Sequence, residues 1–471
     1  MNRLLLVALL VLPVKLESQF TSREYAQRRE ALTARLPEAV VVVFGSREPV
    51  QDYLEFNQNP GMLYLTGITE PDAALVIVKQ AGKLAGTLFV LPRDPARETW
   101  TGARMGPAGA TELTGVPARE RSTLTRVLDS LATGTLPFYV VAESSDDTLA
   151  LTPDDQYIAA LKRRHPRLQI VSASPVVEQV RGKKSPTEVA LIRRAIDITV
   201  MAQKEAMQAM RPDMNEYEIE GLIEYVFRRN GSERPSFATI VGSGPNSTTL
   251  HYSADDRQIQ TGDVVVMDIG ASYKSYAADV TRTVPASGIY SADQRQVYQI
   301  VRDAQAAAER QAKPGAQSAL MSDSANAVIA AGLARLGLID SPGAMYDVVN
   351  RQGAVRELPQ YRLFYMHGLG HGIGLEVHDP DQFYYTGTLS EGSAFTIEPG
   401  IYVRNNVLET LADTPRNRAL AAKIRPAVER YKNIGVRIED DYAITDKGLE
   451  WLSRAPREMS EIEALMRRAT P

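Results

Sequence analysis

Apolar positions follow two rhythms along the chain. Between about Gln19 and Ser174, short runs rich in β-branched residues alternate with turns. Ala39–Phe44, Ala73–Lys79, Thr87–Leu91, Phe138–Glu143 and Leu168–Ser174 read as strands. Helical spacing appears in Ser22–Leu36, where Tyr25, Leu32 and Leu36 share a side and Pro37 stops the run. It recurs in Arg119–Leu131 and Pro153–Arg164. Strands interleaved with helices predict an α/β layer domain over residues 19–175. The polar-aromatic stretch Phe56–Pro60 reads as a loop.

A sharp helix start follows this part. Ser185 suits the N-cap, Pro186 the first helical position, and Glu188 the reciprocal capping position. Residues 181–471 then read as a second, larger domain. Helices are expected at Pro186–Met210 and Glu216–Asn230, then strands at Phe237–Gly242, Val264–Ala271 and Tyr276–Val284. Ser291 and Gln294 form another capping box, opening a helix to Ala312 that Pro314-Gly315 ends. A helix at Ala319–Leu336 and strands at Ala394–Ile397 and Gly435–Ile444 complete the pattern. Helices followed by paired strands, twice over, predict an α+β domain with antiparallel sheet.

Composition narrows the chemistry. Lys+Arg 53 against Asp+Glu 57 leaves −4, with no basic excess for nucleic acid. Cysteine is absent, which removes disulfides, thiolate zinc sites, iron–sulfur clusters and a cysteine nucleophile. Only five histidines are present, so acid–base or metal chemistry must lean on carboxylates. At the N-terminus, Met1-Asn2-Arg3 precedes the apolar run Leu4–Val14. That run is too short for a stable membrane span and fits a signal peptide over residues 1–18, although no A-x-A site follows. The expectation is export to a periplasm or the exterior, with a cytoplasmic location as the alternative.

Candidate chemistry lies where acids interrupt apolar runs. Asp268 ends Val264-Val265-Val266-Met267, and Asp279 sits within Tyr276–Thr281. Glu398 follows Phe395-Thr396-Ile397, and Glu439 follows Val436-Arg437-Ile438. The run from His367 to Gly374 adds imidazoles. A single acid of this kind is ordinarily an edge residue or a salt-bridge partner. Four isolated acids in strands would be costly, and one shared polyvalent cation site removes most of that cost. A hairpin turning at Ser272–Ser275 would bring Asp268 and Asp279 to one face, and Thr281 shares that face with Asp279. Arg437 and Glu439 also share a face. The glycine-rich run fits neither a dinucleotide fingerprint nor a P-loop, and no H-E-x-x-H is present. Four carboxylates with His371 suit two divalent ions such as manganese, cobalt, iron or zinc.

With these residues in place, the second part resembles the pita-bread (M24-type) metallopeptidases: methionine aminopeptidase, aminopeptidase P and prolidase. The first part resembles the N-terminal domain of aminopeptidase P and prolidase, notably at Asn59-Pro60-Gly61-Met62-Leu63-Tyr64-Leu65-Thr66-Gly67 and Pro71-Asp72-Ala73. The resemblance implies a pita-bread catalytic domain behind a smaller α/β domain. It implies Asp268, Asp279, His371, Glu398 and Glu439 as ligands of two metal ions, with Asp279 and Glu439 bridging and manganese the first choice. Glu398 would also take a proton from the attacking water. His251, His367 and His378 would bind substrate, stabilise the tetrahedral intermediate or shuttle protons, and Arg437 would orient the carboxylates. Hydrolysis of an N-terminal X-Pro bond follows, with peptide substrates carrying proline second and a dimeric or tetrameric homo-oligomer. X-Pro dipeptide cleavage is the alternative, then a metal-free binding module or a metal-free hydrolase of the creatinase type. Two departures stand out. Gly372 and Ile373 replace an aromatic and a larger apolar residue. A longer, net basic segment, Arg404–Lys432, separates the last two glutamates.

Overall fold

The computed structural model describes residues 19–51, 54–143 and 150–467. The expected signal peptide lies outside them. The chain divides into two compact units, Met1–Val180 and Arg181–Pro471.

The first unit is built on a six-stranded mixed sheet. Its order is Ala118–Glu120, Lys83–Val90, Ala74–Gln80, Ala39–Phe44, Phe138–Val141, Ile170–Ser172. The central Ala39–Phe44 is buried along its whole length, as a continuous β-branched run requires when both faces are covered. It pairs antiparallel with Ala74–Gln80 and parallel with Phe138–Val141. Two expectations are corrected. Arg119–Leu131 is not one helix: Ala118–Glu120 pairs with Lys83–Val90 as an edge strand, and the α-helix begins at Leu124, where Leu128 completes a buried i,i+4 pair. The polar stretch gives way at Pro60 to the helix Pro60–Thr66, because the Asn59 side chain accepts from the amides of Gly61 and Met62.

The second unit repeats one plan. Helices Pro186–Ala209 and Glu216–Arg229 pack together and lead to the antiparallel strands Ile240–Ser243, Val264–Ile269 and Val280–Pro285. Helices Ala292–Gln311 and Ala319–Leu336 do the same ahead of Ala394–Ile397, Gly400–Val403, Ile434–Arg437 and Asp440–Thr445. Capping boxes close at Ser185, Asn215 and Ser291. One apolar core runs through all of these elements. The fold is the expected α+β arrangement.

The strands are more broken than their hydrophobic patterns imply, and the breaks matter. The expected strand Gly435–Ile444 splits. Ile434–Arg437 pairs with Gly400–Val403, whereas Asp440–Thr445 pairs with Ala394–Ile397. Ile438-Glu439 and Glu398-Pro399 face each other across the gap. Pro399 has no N–H to continue the ladder, so the pairing lapses there and resumes beyond it in the same register. Val264–Ala271 and Tyr276–Val284 likewise break near Gly270 and Ala278-Asp279. The short strands beyond the break, Ala271–Tyr273 and Tyr276–Ala277, turn through Lys274-Ser275 at φ 50° and 66°. Two consecutive positive φ values are the backbone of a tight type I′ hairpin.

Helix Pro415–Tyr431 occupies most of the basic Arg404–Lys432 segment. Its cations are paired on the surface: Arg416 with Asp347 and Glu357, Lys423 with Asp340, Arg430 with Asp293. The hairpin Met345–Val349/Val355–Pro359 and the helix Met459–Arg467 add to the elements expected from sequence. Among the described residues, no helix is long and apolar enough to cross a membrane.

Candidate metal centre and active site

Three of the four acids of the site flank a strand end or break, and the fourth, Asp268, is paired on both sides within its strand. Asp268 lies in Val264–Ile269, directly opposite Thr281. Asp279 immediately precedes Val280–Pro285, Glu398 follows Ala394–Ile397, and Glu439 fills the gap before Asp440–Thr445. A strand end frees the side chain from a crowded sheet face while the ladder fixes its backbone.

The glycine-rich run is laid along strand Ala394–Ile397. Thr396 N–H donates to His371 O, His371 N–H donates to Thr396 Oγ1 at 3.1 Å, and Glu398 N–H donates to Leu369 O at 2.7 Å. A Cβ on Gly370 would lie 2.1 Å from Thr396 O, so this approach is open only to glycine.

A cleft of about 490 Å³ results, and all nine site residues expected from sequence line it. His371 Nε2 lies 3.5 Å from Asp279 Oδ2, 3.4 Å from Glu398 Oε1 and 3.9 Å from Glu439 Oε1. Donor atoms of Asp279, His371 and Glu439 all fall within 4.8 Å of one another. His251 and His378 are exposed in the cleft wall, and His378 packs 4.2 Å from His371 between ring centroids. Phe237, Ile240, Leu250 and Val377 supply an apolar side. The fifth histidine, His165, lies in the first unit and pairs with Asp129 at 2.9 Å.

Electrostatics follow from crowding acids away from water. Burial, reinforced by the Asp268 charge, pushes the Glu398 carboxyl up to about 8. Burial and the neighbouring Glu439 raise Asp279, and burial with Glu398 beside it raises Glu439. Burial lowers His367 and His371 to about 4, helped by Arg437 in the first case and His378 in the second. Both imidazoles are therefore neutral near pH 7. Arg437 is the one arginine or lysine among the described residues lining the cleft. It ion-pairs with Asp268 and donates to Tyr402 Oη at 2.9 Å, Thr281 Oγ1 at 3.2 Å and Leu250 O at 3.3 Å.

The donor set fits a divalent cation. Asp268 Oδ1, Asp279 Oδ1 and Glu439 Oε1 are buried with no hydrogen-bond partner. Such orphans are unfavourable unless a cation takes them. His371 Nδ1 lies 3.1 Å from Gly372 O, which can only accept, so Nε2 carries the lone pair facing the acids.

Several functional groups were not legible from sequence. Thr281, expected on the face of Asp279 as a hydrogen-bond partner, does support a site acid, but a different one: its Oγ1 donates to Glu439 Oε2 at 2.6 Å. Register explains this: Glu439 N–H donates to Thr281 O, drawing the two side chains together. Tyr402 Oη joins His367 Nε2 at 2.8 Å to Arg437. Asp441 accepts the Asp279 amide at 3.1 Å. Asp379, next to His378, is held by Arg181 and by Lys184, the latter at 3.0 Å. Thr281 had a signal in its shared face with Asp279, and Asp379 in its adjacency to a site histidine; Tyr402 and Asp441 had none.

Comparison with known proteins agrees with this geometry. The model of metallopeptidase family M24 matches residues 190–446, and that of the aminopeptidase P N-terminal domain matches residues 25–137. Xaa-Pro aminopeptidase of Escherichia coli K12 is 33% identical over 95% of this chain and 98% of its own. That of Haemophilus influenzae is 33% identical over 95% and 98%. The solved structure of zinc-substituted Escherichia coli aminopeptidase P in complex with product aligns with TM-score 0.79 at 32% identity, covering 96% of this chain and 99% of that one. An acid-lined cleft with a neutral imidazole, in a domain matched along most of its length, leads to one conclusion: the chain belongs to metallopeptidase family M24, with an aminopeptidase P N-terminal domain ahead of the catalytic unit.

Proposed function

We propose that this chain is an Xaa-Pro aminopeptidase, releasing the first residue of peptides whose second residue is proline. The observation that carries the reading is the convergence of Asp268, Asp279, His371, Glu398 and Glu439 in one cleft of an M24 domain. The relatives named above support the substrate class.

Asp268, Asp279, His371, Glu398 and Glu439 would hold two divalent ions, with manganese the first choice. When bound, such ions polarise the scissile carbonyl and activate water at neutral pH. The remaining work falls to side chains. Glu398 takes a proton from the attacking water. It then passes that proton to the proline nitrogen, which carries no hydrogen in the substrate and leaves as a secondary amine. His251 and His378, exposed in the cleft, bind the substrate backbone and donate to oxygen as it gains charge. Tyr402 and Gly368 fix both nitrogens of His367, so that ring is held rigidly at the cleft wall. Phe237, Ile240, Leu250 and Val377 offer apolar surface to the pyrrolidine or the first side chain.

His251→Ala should lower turnover by roughly 10²-fold, the usual share of a single donor or proton-transfer group, while leaving metal content intact. Steady-state kinetics with elemental analysis checks this; unchanged turnover would remove His251 from the reaction.

Metal binding should also be proton-coupled. The Glu398 carboxyl lies near 8 in the metal-free site, with Asp279 and Glu439 raised as well. Below about 8, Glu398 holds a proton that metal must displace, and the upward shifts of Asp279 and Glu439 act in the same direction. Affinity should therefore rise as pH rises from 6 to 8, with proton release. Calorimetry in two buffers of different ionisation enthalpy reads the release; binding without it contradicts the titration.

A substrate panel tests the reading itself. Arg-Pro-Pro and longer X-Pro peptides should be cleaved faster than the dipeptide Gly-Pro. Activity confined to dipeptides would make the protein a prolidase. Assembly as a dimer or tetramer, and export directed by the Met1–Ser18 pattern, belong to the same reading. Light scattering tests the first and N-terminal sequencing from the native host the second.

A further inference from the structure

The two peptide groups that meet at the Gly372 Cα stand behind His371. Gly372 C=O accepts from Asp379 N–H at 2.8 Å and from His371 Nδ1 at 3.1 Å. The N–H of the same glycine donates to the hydroxyl oxygen of Tyr384 at 2.7 Å. Each of the two peptides has one further bond, and Gly372 itself is tightly enclosed. His371 O and Ile373 N are bonded to strand Ala394–Ile397. A Cβ on Gly372 would lie 2.3 Å from Asp379 O and 3.0 Å from Asp381 Cβ. Tyr384 stands on the turn Phe383–Thr386, where Phe383 packs edge-on against Phe395. Its ring is about half exposed and lies outside the cleft lining.

We propose that Tyr384 is a positioning residue for the metal centre: its hydroxyl holds the Gly372 amide and so the backbone angles at Gly372, and the Gly372 carbonyl, in the next peptide, fixes the tautomer and ring orientation of His371. The proposal rests on the reading of His371 as a metal ligand. The buried Gly372 amide needs an acceptor, and Tyr384 supplies it. With that amide held, Gly372 keeps the φ and ψ that aim its carbonyl, in the following peptide, at Nδ1, and Nε2 keeps its lone pair toward Asp279, Glu398 and Glu439. A ligating imidazole is commonly fixed through its other nitrogen in this way.

Tyr384→Phe removes one oxygen and keeps the ring. Manganese affinity of chelator-stripped protein should weaken by about tenfold, the lower end for a group that orients a ligand. A chelator-competition titration reads it, with the melting temperature confirming the fold. Nitrogen NMR of ¹⁵N-histidine-labelled, metal-free protein gives a second readout. Wild type should show His371 as the Nδ1–H tautomer, and the variant should lose that preference. In a His371→Ala background, Tyr384→Phe should change affinity less than about twofold, because the group it positions is gone. An unchanged affinity in the single variant, or an equal loss in both backgrounds, overturns the proposal. If His371→Ala alone leaves manganese affinity unchanged, the ligand reading of His371 has failed instead.

Discussion

Asp279→Ala should abolish metal binding and turnover together while making the metal-free protein more stable. The two effects share one cause. Asp279 is 5% exposed, its Oδ1 has no partner, and Glu439, Asp268, Asp441 and Glu398 all raise its carboxyl. In the metal-free fold the carboxylate is a liability. Removing it relieves about 1–3 kcal/mol, the cost of a buried unsatisfied polar group. On the proposed reading, the same oxygen atoms are ligands in the loaded enzyme. Their loss should lower turnover by roughly 10³-fold or more, since several kcal/mol of transition-state stabilisation disappear at about 1.4 kcal/mol per tenfold. Denaturant unfolding of stripped protein reads the first effect, and elemental analysis with kinetics reads the second. Wild-type turnover in the variant would remove Asp279 from the site. A less stable stripped variant would show that Asp279 has structural partners beyond those seen here.

Arg437→Met should destabilise the metal-free protein by about 3–5 kcal/mol, the range for breaking a buried ion pair from one side. Arg437 is 4% exposed and pairs with Asp268 in a cleft that otherwise gathers carboxylates. It also reaches Tyr402, Thr281 and Leu250 in three directions, which ties strand Ile434–Arg437 to Val280–Pro285 and Gly400–Val403. Lysine has the charge without the fork, so Arg437→Lys should recover only part of the loss. Denaturation midpoints of stripped wild type, Arg437→Lys and Arg437→Met make the comparison. A loss below ~1 kcal/mol in Arg437→Met would mean that the pair carries little stability.

The acids were legible because each breaks an apolar run, and burying charge is costly enough to demand a reason. Helix starts were legible because capping is local: Ser185 and Ser291 behave as their spacing implies. The breaks at Ile438-Glu439 and Ala278-Asp279 were not. They depend on which strand lies opposite, and only Pro399 hinted at one of them. Tyr402, Thr396, Asp441 and Tyr384 look like ordinary strand or turn residues. Their roles arise from distances between segments remote in sequence, as when Tyr402 meets both His367 and Arg437. The Arg119–Leu131 pattern failed for a related reason: pairing with Lys83–Val90 outweighed helical propensity in its first residues.

The central claim is that metal held by this acid–imidazole cluster drives cleavage before proline. It is tested most directly by titrating manganese into chelator-stripped protein while following Arg-Pro-Pro by mass spectrometry. The account predicts no cleavage in the stripped state. Activity should rise with metal to a plateau at two ions per chain, with free arginine and Pro-Pro as the only products. Cleavage by stripped protein, or saturable manganese binding with no release of arginine, would contradict it.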